Sequence, residues 1–447
     1  MTELKNIAGY PVISKRVEDK TAVLFYINET QEFMLLIIGG TTNINAEISR
    51  YIKRRGFLAP GSIPTFSPPF RSAAVTVTGQ CNMDCPYCFV YPVPNKTDMS
   101  GEFARTAIKA LAPYMSEDRK QIYLWGGEPT QNPAGLFAAL NAISDIWTSG
   151  ECTATLTTNG YIESEILERL VRYDNLEFQI SFDGKAHNAQ KKIEGGSYDQ
   201  ALRSAAFVKS SGKNPILRIT VTNQNIAGLK DTFCQIIENN LSDRICVEPV
   251  HAYVGRSRTQ QDWQPNAELY ASVLMDCIDY AEKNGCVVYS QPLRPLTAGR
   301  AYDWGFINIL PDGTAVSTVA IVDASHPDTN IFLSGHIDDR NGELTLSDNL
   351  AGQRRRFADL AALKCVRCPV FSICKGNEQR DCFVSGTPIA EYRCSVFCEL
   401  IRLWMERMLD KILADNLPDG EYIYKIARAP DQTRNILNIS LRTGSII

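Results

Sequence analysis

The chain has 447 residues, which is enough for a large core and for two or three domains. Its formal net charge is −4, so neither nucleic acid nor an acidic membrane surface is an expected partner. Residues 1–15 contain no apolar stretch of a secretory signal, and the apolar run FMLLII is too short to span a bilayer. We therefore expect a cytoplasmic protein without a membrane partner, whose 14 cysteines are metal ligands or buried thiols rather than disulfides.

Residues 1–70 predict a small α+β unit at the start of the chain. Residues 21–38 read as two strands around a turn at Asn28–Thr30, and residues 45–58 read as a short helix with a basic end. The segment 59–70 contains four prolines, a composition typical of a linker. A second domain is therefore expected to begin near residue 71.

From about residue 71 to 290, strand-like and helix-like segments alternate. The strand-like runs are AVTVTG, QIYLWGG, TATLTTNG, EFQISFDG, LRITVTN and ICVEPV. The helix-like segments between them are Phe103–Met115, Ala134–Thr148, Ser164–Tyr173, Tyr198–Ser210 and Leu229–Glu238. This alternation predicts βαβ units around a parallel sheet. Because six units fall short of the eight in a closed barrel, we expect an α/β fold with a partial (β/α)6 barrel.

Three cysteines, Cys81, Cys85 and Cys88, directly follow the first of these strands. Their spacing would place them on one face of a helix, where free cysteines pack as small hydrophobic residues. Pro86 argues against a helix, because there it would lack its N–H and clash with the carbonyl of Asn82. We therefore predict a loop that offers three thiolates to a metal site.

Other chemically distinctive motifs also come at strand ends. GGEP occupies 126–129, TNG occupies 158–160, SFDG occupies 181–184 and EPVH occupies 248–251. In α/β barrels the active site lies at the carboxyl ends of the strands, so these motifs predict one shared mouth. Ordinary turn residues would explain the glycines but not the thiolates. His251 is either a substrate contact or a hydrogen-bonded structural histidine.

The C-x3-C-x2-C spacing with Tyr87 in the loop, followed by GGEP, resembles the signature of the radical S-adenosylmethionine (radical SAM) enzymes. The resemblance implies a [4Fe–4S] cluster held by Cys81, Cys85 and Cys88. A cubane normally takes four thiolates, so one iron stays open for the amine and carboxylate of SAM. It implies further that one electron cleaves the sulfonium, and that the resulting 5′-deoxyadenosyl radical abstracts a hydrogen atom from the substrate.

The same resemblance assigns contacts with SAM. Tyr87 would lie near the adenine, and Arg218 on the fifth strand would pair with the carboxylate, unless it forms an ordinary ion pair. The further candidates are the backbone of Gly126, Gly127 and Glu128 for the amine, Asn159 of TNG, and Ser181 and Asp183 for the ribose hydroxyls. The alternative for Asp183 is an aspartate–glycine turn that binds no ligand.

Residues 291–400 predict a strand-rich extension that ends in six cysteines within 365–398. The run C-x2-C-x5-C resembles the centre of the SPASM extension of many radical SAM maturases, which binds auxiliary [4Fe–4S] clusters. At least one auxiliary cluster is implied, with the ligands Cys365, Cys368, Cys374 and Cys394, and with Cys398 or Cys382 as the alternative fourth ligand. A zinc site is the other interpretation, because this spacing is also common there.

The first auxiliary cluster of such extensions lacks recognisable ligands in this chain. Thr318 stands five residues after Gly313, where the usual form has a cysteine, and residues 297–303 contain none. Glu378 occupies a further cysteine position of the pattern. Residues 401–447 are predicted to be an amphipathic helix and a polar tail.

SPASM-type enzymes mostly act on peptides and proteins. We therefore expect a maturase that installs a thioether, C–C or C–O crosslink on a ribosomally made precursor peptide. Residues 1–70 would bind the leader as an added strand, or they form a structural flap. A flavodoxin- or ferredoxin-like reductant is expected to supply the electron.

Other functions stay open on the sequence alone. Within the same class, these are a formylglycine-type protein maturase and a dehydrogenase of a small sugar or alcohol. In another class, the chain would be a non-catalytic Cys-rich Fe–S or zinc protein. The isolated cysteines are read as inert buried thiols: Cys152, Cys234, Cys246, Cys277 and Cys286.

Overall fold

The structure is a computed structural model of the whole chain. It describes residues 3–7, 9–18, 20–27, 32–39, 43, 45–46, 48–49, 68–88, 90, 96–117, 120–250, 261–293, 306–338, 340–365, 368–374, 376, 391–414, 423–426 and 439–441. The predicted turn at Asn28–Thr30, most of the predicted linker, His251, Glu378 and Cys382 lie outside these ranges.

The described residues form seventeen strands and eleven α-helices. The strands are β1 (Lys5–Ile7), β2 (Tyr10–Val17), β3 (Lys20–Ile27), β4 (Glu32–Gly39), β5 (Ser72–Thr78), β6 (Lys120–Gly126), β7 (Cys152–Thr158), β8 (Leu176–Ser181), β9 (Ile216–Val221), β10 (Arg244–Pro249), β11 (Val287–Tyr289), β12 (Phe306–Ile309), β13 (Thr314–Val316), β14 (Leu333–Ile337), β15 (Leu344–Leu346), β16 (Ile423–Ile426) and β17 (Ile439–Leu441). The helices are α1 (Gly101–Leu111), α2 (Pro133–Ile146), α3 (Ser164–Leu170), α4 (His187–Gln190), α5 (Tyr198–Ser210), α6 (Leu229–Glu238), α7 (Ala267–Lys283), α8 (Thr329–Phe332), α9 (Asn349–Lys364), α10 (Phe371–Cys374) and α11 (Glu391–Ala414). No helix in these ranges is both long and apolar enough to cross a membrane.

The central sheet has the strand order β11-β10-β9-β8-β7-β6-β5-β12-β13-β14-β15. The strands from β11 through β12 in this order are parallel, and the last three are antiparallel. Within the described residues the sheet stays open, with β11 and β15 at its edges. The predicted partial barrel and its extension with cysteines are confirmed. The six predicted strands are β5 to β10, and the structure adds short parallel strands at both ends of the row.

The first turn of helix α2 lies next to the end of β5 in space, because the side chain of Asn132 bonds to both elements. The Oδ1 atom of Asn132 accepts the N–H of Gly135 at 3.1 Å and so caps the first turn of α2. The Nδ2 atom of Asn132 donates to the carbonyls of Val77 and Met99, both at 2.8 Å. The βαβ connection is thus fixed beside the loop that carries the three cysteines.

The concave face of the sheet is polar, which is unusual for a barrel interior. On β6, Ile122 and Leu124 are fully buried, whereas Gln121, Tyr123 and Trp125 on the opposite face are half-buried. The hydroxyl of Tyr123 donates to Oε1 of Gln121 at 2.9 Å. Closed barrels fill this space with bulky branched side chains. The polar face is therefore the one that is available to a ligand.

A second, antiparallel sheet combines both ends of the chain. Its order is β1-β2-β3-β4-β16-β17, so the tail strand β16 pairs with β4. One face of this sheet, including Ile13 and Leu24, shares a core with Leu400 and Ile401 of α11. The sequence predicted only two of these strands. The predicted boundaries at 70, 290 and 400 remain a prediction, and the structure adds that the tail joins the sheet of the first unit.

Candidate active site

The three cysteines of the predicted metal site lie in a loop after β5. Residues 79–88 contain no helix, and Cys81, Cys85 and Cys88 are all half-buried. The N–H of Cys88 donates to the carbonyl of Cys85 at 3.2 Å, and the N–H of Met83 donates to Sγ of Cys81 at 3.4 Å. The loop therefore curls around its own thiols.

Burial and the neighbouring thiols raise the pKa of Cys81 and Cys85 in the metal-free chain. Burial raises the pKa of Cys81 to about 12, and the neighbouring Cys85 and Cys88 add to the shift. Burial also raises the pKa of Cys85, although Lys191 opposes the change. Because thiolate is the form that binds iron, binding must displace the thiol protons. Such a donor set fits a cationic iron–sulfur cluster.

The three thiols do not form a site for a single metal ion. In the part of the chain that the structure describes, no three His, Cys, Asp or Glu side chains are placed to hold one metal ion. Each thiolate of a cubane binds a different iron, so its sulfurs do not converge on one point. The loop therefore remains compatible with a cluster.

The two glycines of GGEP allow β6 to approach the cysteine loop closely. A Cβ atom on Gly126 would lie 2.1 Å from the carbonyl oxygen of Thr78, and one on Gly127 would lie 2.2 Å from that of Gln80. The N–H of Gly127 donates to Thr78 at 3.0 Å, and the N–H of Glu128 donates to Gln80 at 2.7 Å. Only glycine permits these two contacts with the backbone that leads into Cys81.

The carboxylate of Glu128 joins the ends of β6 and β7. It is fully buried, and burial raises its pKa while its hydrogen bonds oppose the shift. Oε1 accepts the hydroxyls of Thr130 at 2.8 Å and Thr158 at 2.9 Å, and Oε2 accepts the N–H of Asn159 at 2.7 Å. The side chain of Glu128 is thus occupied within the protein, and its carbonyl accepts the N–H of Gln131 at 3.0 Å.

Asn159 connects TNG to the cysteine loop. Its Nδ2 atom donates to Oδ1 of Asn82 at 2.7 Å and lies 3.9 Å from Sγ of Cys81. Its Oδ1 atom accepts the N–H of Tyr161 at 2.9 Å. The amide of Asn159 therefore orients the first cysteine.

Asp183 of SFDG lies behind the loop and is 1% exposed. Its Oδ1 atom accepts the N–H of Thr220 at 2.8 Å, and its Oδ2 atom accepts the hydroxyl of Tyr87 at 3.3 Å. The Nζ atom of Lys191 lies 3.7 Å from the same Oδ2. Burial and the charge of Asp183 raise the pKa of Tyr87 well above its usual value. Tyr87 and Asp183, predicted as separate SAM contacts, therefore form one buried network.

Ser181 and Arg218 are adjacent on the concave face. They pair in register between β8 and β9, and both are half-buried. The Nη1 atom of Arg218 donates to Oε1 of Gln179 at 3.3 Å. Among the described residues no carboxylate pairs with Arg218, so its remaining donors face the polar side of the sheet. The ordinary ion pair that the sequence left open is not formed within these ranges.

Comparison with known proteins decides the family of this region. Residues 75–238 match the family model described as the radical SAM superfamily. The chain carries a radical SAM domain. The predicted resemblance to radical SAM proteins is confirmed for this domain.

The curated relatives match mainly in the same region. Mycofactocin maturase MftC of Mycobacterium tuberculosis (strain ATCC 25618 / H37Rv) is 28% identical over 161 residues, covering 35% of this chain and 39% of MftC. An AdoMet-dependent heme synthase of Nitratidesulfovibrio vulgaris is 26% identical over 228 residues, covering 48% of this chain and 57% of the synthase. The chain thus spans about half the length of these relatives, or less.

Solved structures show that the fold extends beyond the radical SAM domain. Native anSMEcpe with bound AdoMet and Cp18Cys peptide has a TM-score of 0.60 at 17% identity, covering 78% of this chain and 100% of that chain. Streptococcus suis SuiB bound to precursor peptide SuiA has a TM-score of 0.50 at 16% identity, covering 76% of this chain and 78% of that chain. At these identities the likeness concerns the fold alone.

The second group of cysteines gathers beside α11, outside the radical SAM domain. The thiols of Cys368 and Cys398 form a hydrogen bond, which lowers the pKa of Cys368 to about 7 and raises that of Cys398 far above its usual value. Cys394 and Cys374 add to the shift at Cys398. The N–H of Cys368 donates to the carbonyl of Cys365 at 2.9 Å. Cys398, an alternative ligand in the sequence analysis, therefore belongs to this group together with Cys394.

Thr318, which stands where the usual form of the extension has a cysteine, is part of a buried hydrogen-bond network. Thr318 is 1% exposed, and its hydroxyl oxygen accepts the N–H of Ala320 at 3.2 Å. The Nδ2 atom of Asn308 donates to the carbonyls of Thr318 at 3.3 Å and Ile321 at 3.2 Å, while its Oδ1 accepts the hydroxyl of Thr76 at 2.9 Å. This position therefore offers a hydroxyl and an amide, and no thiolate for a cluster.

Four of the five isolated cysteines are buried, and Cys234 is half-buried. Burial raises the pKa of both Cys152 and Cys277 to about 12. Free cysteines are often buried and then pack as small hydrophobic side chains. These side chains therefore act as parts of the core.

Proposed function

We propose that the chain is a radical SAM enzyme that installs a side-chain crosslink, a thioether, C–C or C–O bond, on a ribosomally made precursor peptide. The observation that carries this proposal is the cysteine loop, held at the strand ends by GGEP and TNG. The names of MftC, a maturase, and SuiB, bound to a precursor peptide, support the substrate class.

Cys81, Cys85 and Cys88 would hold the [4Fe–4S] cluster, with SAM at its open iron. When bound, the cluster supplies the electron that cleaves SAM to a 5′-deoxyadenosyl radical. The chain's own contribution is rigid placement of the three thiols. Glu128 and Asn159 fix the side of the loop that faces β6 and β7.

Arg218 and Ser181 are the proposed side-chain contacts of SAM. Arg218 has free donors on the concave face, a geometry that suits a carboxylate. Backbone carbonyls of Gly126, Gly127 and Glu128 would bind the methionine amine, because the side chain of Glu128 is occupied. Asp183 would act on SAM through Tyr87, since its own carboxylate is buried.

The second cysteine group would hold one auxiliary [4Fe–4S] cluster. We propose Cys365, Cys368 and Cys374 as ligands, with the fourth thiolate from the pair Cys394 and Cys398. The hydrogen-bonded pair Cys368 and Cys398, with Cys374 and Cys394 nearby, supports one auxiliary cluster. The threonine at position 318 argues against a second, because it offers no thiolate.

The N-terminal sheet is the proposed binding site of the leader. A peptide that adds as a strand needs a free edge. The edge of β4 is paired with β16 along Phe33–Leu36, and within the described residues the edge strands are β1 and β17. The leader would therefore add at one of these edges or displace β16. The remaining partner and location proposals are a flavodoxin- or ferredoxin-like reductant and the cytoplasm.

Anaerobic iron, sulfide and 5′-deoxyadenosine measurements test the proposal. Wild type should contain about eight irons per chain, and a Cys81/Cys85/Cys88→Ala variant about four, with loss of SAM cleavage. Cys234→Ala is the matched control, because it removes an isolated thiol and should leave both readouts unchanged. Zinc in place of the second iron set would refute the auxiliary cluster.

Mass spectrometry of a precursor peptide encoded beside the gene tests the substrate class. A crosslink lowers the peptide's mass by two hydrogen atoms and leaves no carbonyl that reacts with hydrazine. A product that reacts with hydrazine would instead identify a formylglycine-type maturase. A wild type that cleaves SAM but leaves every such peptide unchanged would refute the peptide substrate.

A further inference from the structure

A buried ion pair lies against the cysteine loop, and one of its members has no role in the function proposed above. The Nζ atom of Lys191 is 3.7 Å from Oδ2 of Asp183, and the two side chains are 9% and 0% exposed. A buried carboxylate is costly unless it is paired and hydrogen-bonded. The buried charge of Asp183 therefore explains why a cation lies here. It does not explain the direction in which the side chain of Lys191 extends.

The backbone around Lys191 is fixed independently of its side chain. The N–H of Lys191 donates to the carbonyl of His187 at 2.7 Å, and the hydroxyl of Ser197 donates to the carbonyl of Lys191 at 3.0 Å. The carbonyl of the next residue, Lys192, accepts the N–H of Asp84 at 2.9 Å. This segment is thus attached directly to the loop between Cys81 and Cys85.

The ammonium group of Lys191 is directed toward the cysteines. Its Nζ atom lies 4.9 Å from the ring centroid of Tyr87, the residue immediately before Cys88. The ammonium group therefore lies over the ring of the residue that precedes Cys88, whereas Asp183 contacts only the hydroxyl end of that residue.

We propose that Lys191, oriented by Asp183, is a positioning residue that raises the reduction potential of the cluster held by Cys81, Cys85 and Cys88. Reduction by an external donor adds one electron, and thus one negative charge, next to this ammonium group. A cation in a buried, low-dielectric position stabilises that charge far more than an exposed one does. This inference rests on the cluster, but not on SAM cleavage or on the peptide substrate.

An anaerobic redox titration followed by electron paramagnetic resonance tests the inference. The paramagnetic resonance signal that wild type shows and the Cys81/Cys85/Cys88→Ala variant lacks belongs to the cluster held by these three cysteines. Lys191→Met should shift its midpoint potential downward, because the charge is lost and the length of the side chain is kept. Lys192→Met is the matched control: Lys192 is exposed, so the same substitution one residue later should leave the potential unchanged.

Two further variants separate electrostatics from mere structural support. Lys191→Arg keeps the charge and should retain the potential. Asp183→Asn leaves the cation uncompensated and should shift the potential upward, opposite to Lys191→Met. A purely structural role predicts shifts of the same sign in both neutralising variants, or none, and either result would overturn the inference.

If Lys191→Met does not fold, the comparison of Asp183→Asn with Lys191→Arg decides the question in the same way. A wild type that binds no iron would refute this inference and the proposed function together. A wild type that binds the cluster without modifying peptide would refute only the latter.

Discussion

Replacing Glu128 by glutamine tests whether its buried carboxylate holds the strand ends together. All its recorded hydrogen-bond partners donate: Thr130 through its N–H and hydroxyl, Thr158 through its hydroxyl, and Asn159 through its N–H. A glutamine offers one acceptor oxygen and one NH2 group. Hydroxyls can rotate to accept, but the backbone N–H groups of Thr130 and Asn159 approach different oxygens. One of them must therefore face an NH2 group.

The cost follows from that mismatch. A hydrogen bond to a charged group contributes about 1.5–3 kcal/mol, and a buried donor left without a partner costs about 1–3 kcal/mol. We expect Glu128→Gln to lower the free energy of unfolding by about 3 kcal/mol. Because Asn159 also orients Cys81, iron incorporation should fall with it.

Urea unfolding of the iron-free protein, with iron content measured after reconstitution, provides the assay. Glu151→Gln is the matched control: Glu151 also accepts a threonine N–H and hydroxyl, those of Thr148, but it is exposed. The substitution of Glu151 should leave the midpoint of urea unfolding equal to that of wild type within experimental error. Equal effects of the two substitutions would refute the claim that the buried carboxylate organises the site.

Three other substitutions test separate parts of the structure. Gly127→Ala should lower stability by about 1–3 kcal/mol in urea unfolding and also lower iron content, because its Cβ would meet a carbonyl, whereas Gly150→Ala has open space. Burial lowers the pKa of His187 from 6.5 to about 4, so its stabilising contribution is lost as pH falls through that window. Wild type should lose about 2 kcal/mol between pH 7 and 5 relative to His187→Gln, measured by urea unfolding at both pH values. Cys398→Ala should reduce iron from about eight to about four per chain, and unchanged iron would assign the fourth thiolate to Cys394.

The sequence was most informative where the local backbone decides the structure. Pro86 excludes a helix through the cysteines by its own geometry, and the pair Gly126 and Gly127 is required by a close backbone approach. Alternating segments predicted β5 to β10 because each strand buries one apolar face under helices. These features depend on residues near one another in the chain.

Features that depend on tertiary contacts could not be predicted from the sequence in the same way. Lys191 and Lys192 are chemically identical neighbours, and only packing makes one buried and the other exposed. Strand β16 joins β4 through backbone hydrogen bonds at a sheet edge, which place no demand on side-chain pattern. Cys398 was only an alternative ligand, because its contact with Cys368 spans thirty residues of chain.

The two acidic residues of the site motifs share a role that their sequence contexts do not reveal. Glu128 and Asp183 both follow parallel strands, and both are buried beyond the reach of solvent. Glu128 holds one side of the cysteine loop through Asn159, and Asp183 holds the other side through Tyr87. A loop fixed from both sides places its thiols before any metal binds, which lowers the ordering cost of binding. The motifs GGEP and SFDG therefore contribute through side-chain support of the cysteine loop, in addition to the backbone surface that they present to a ligand.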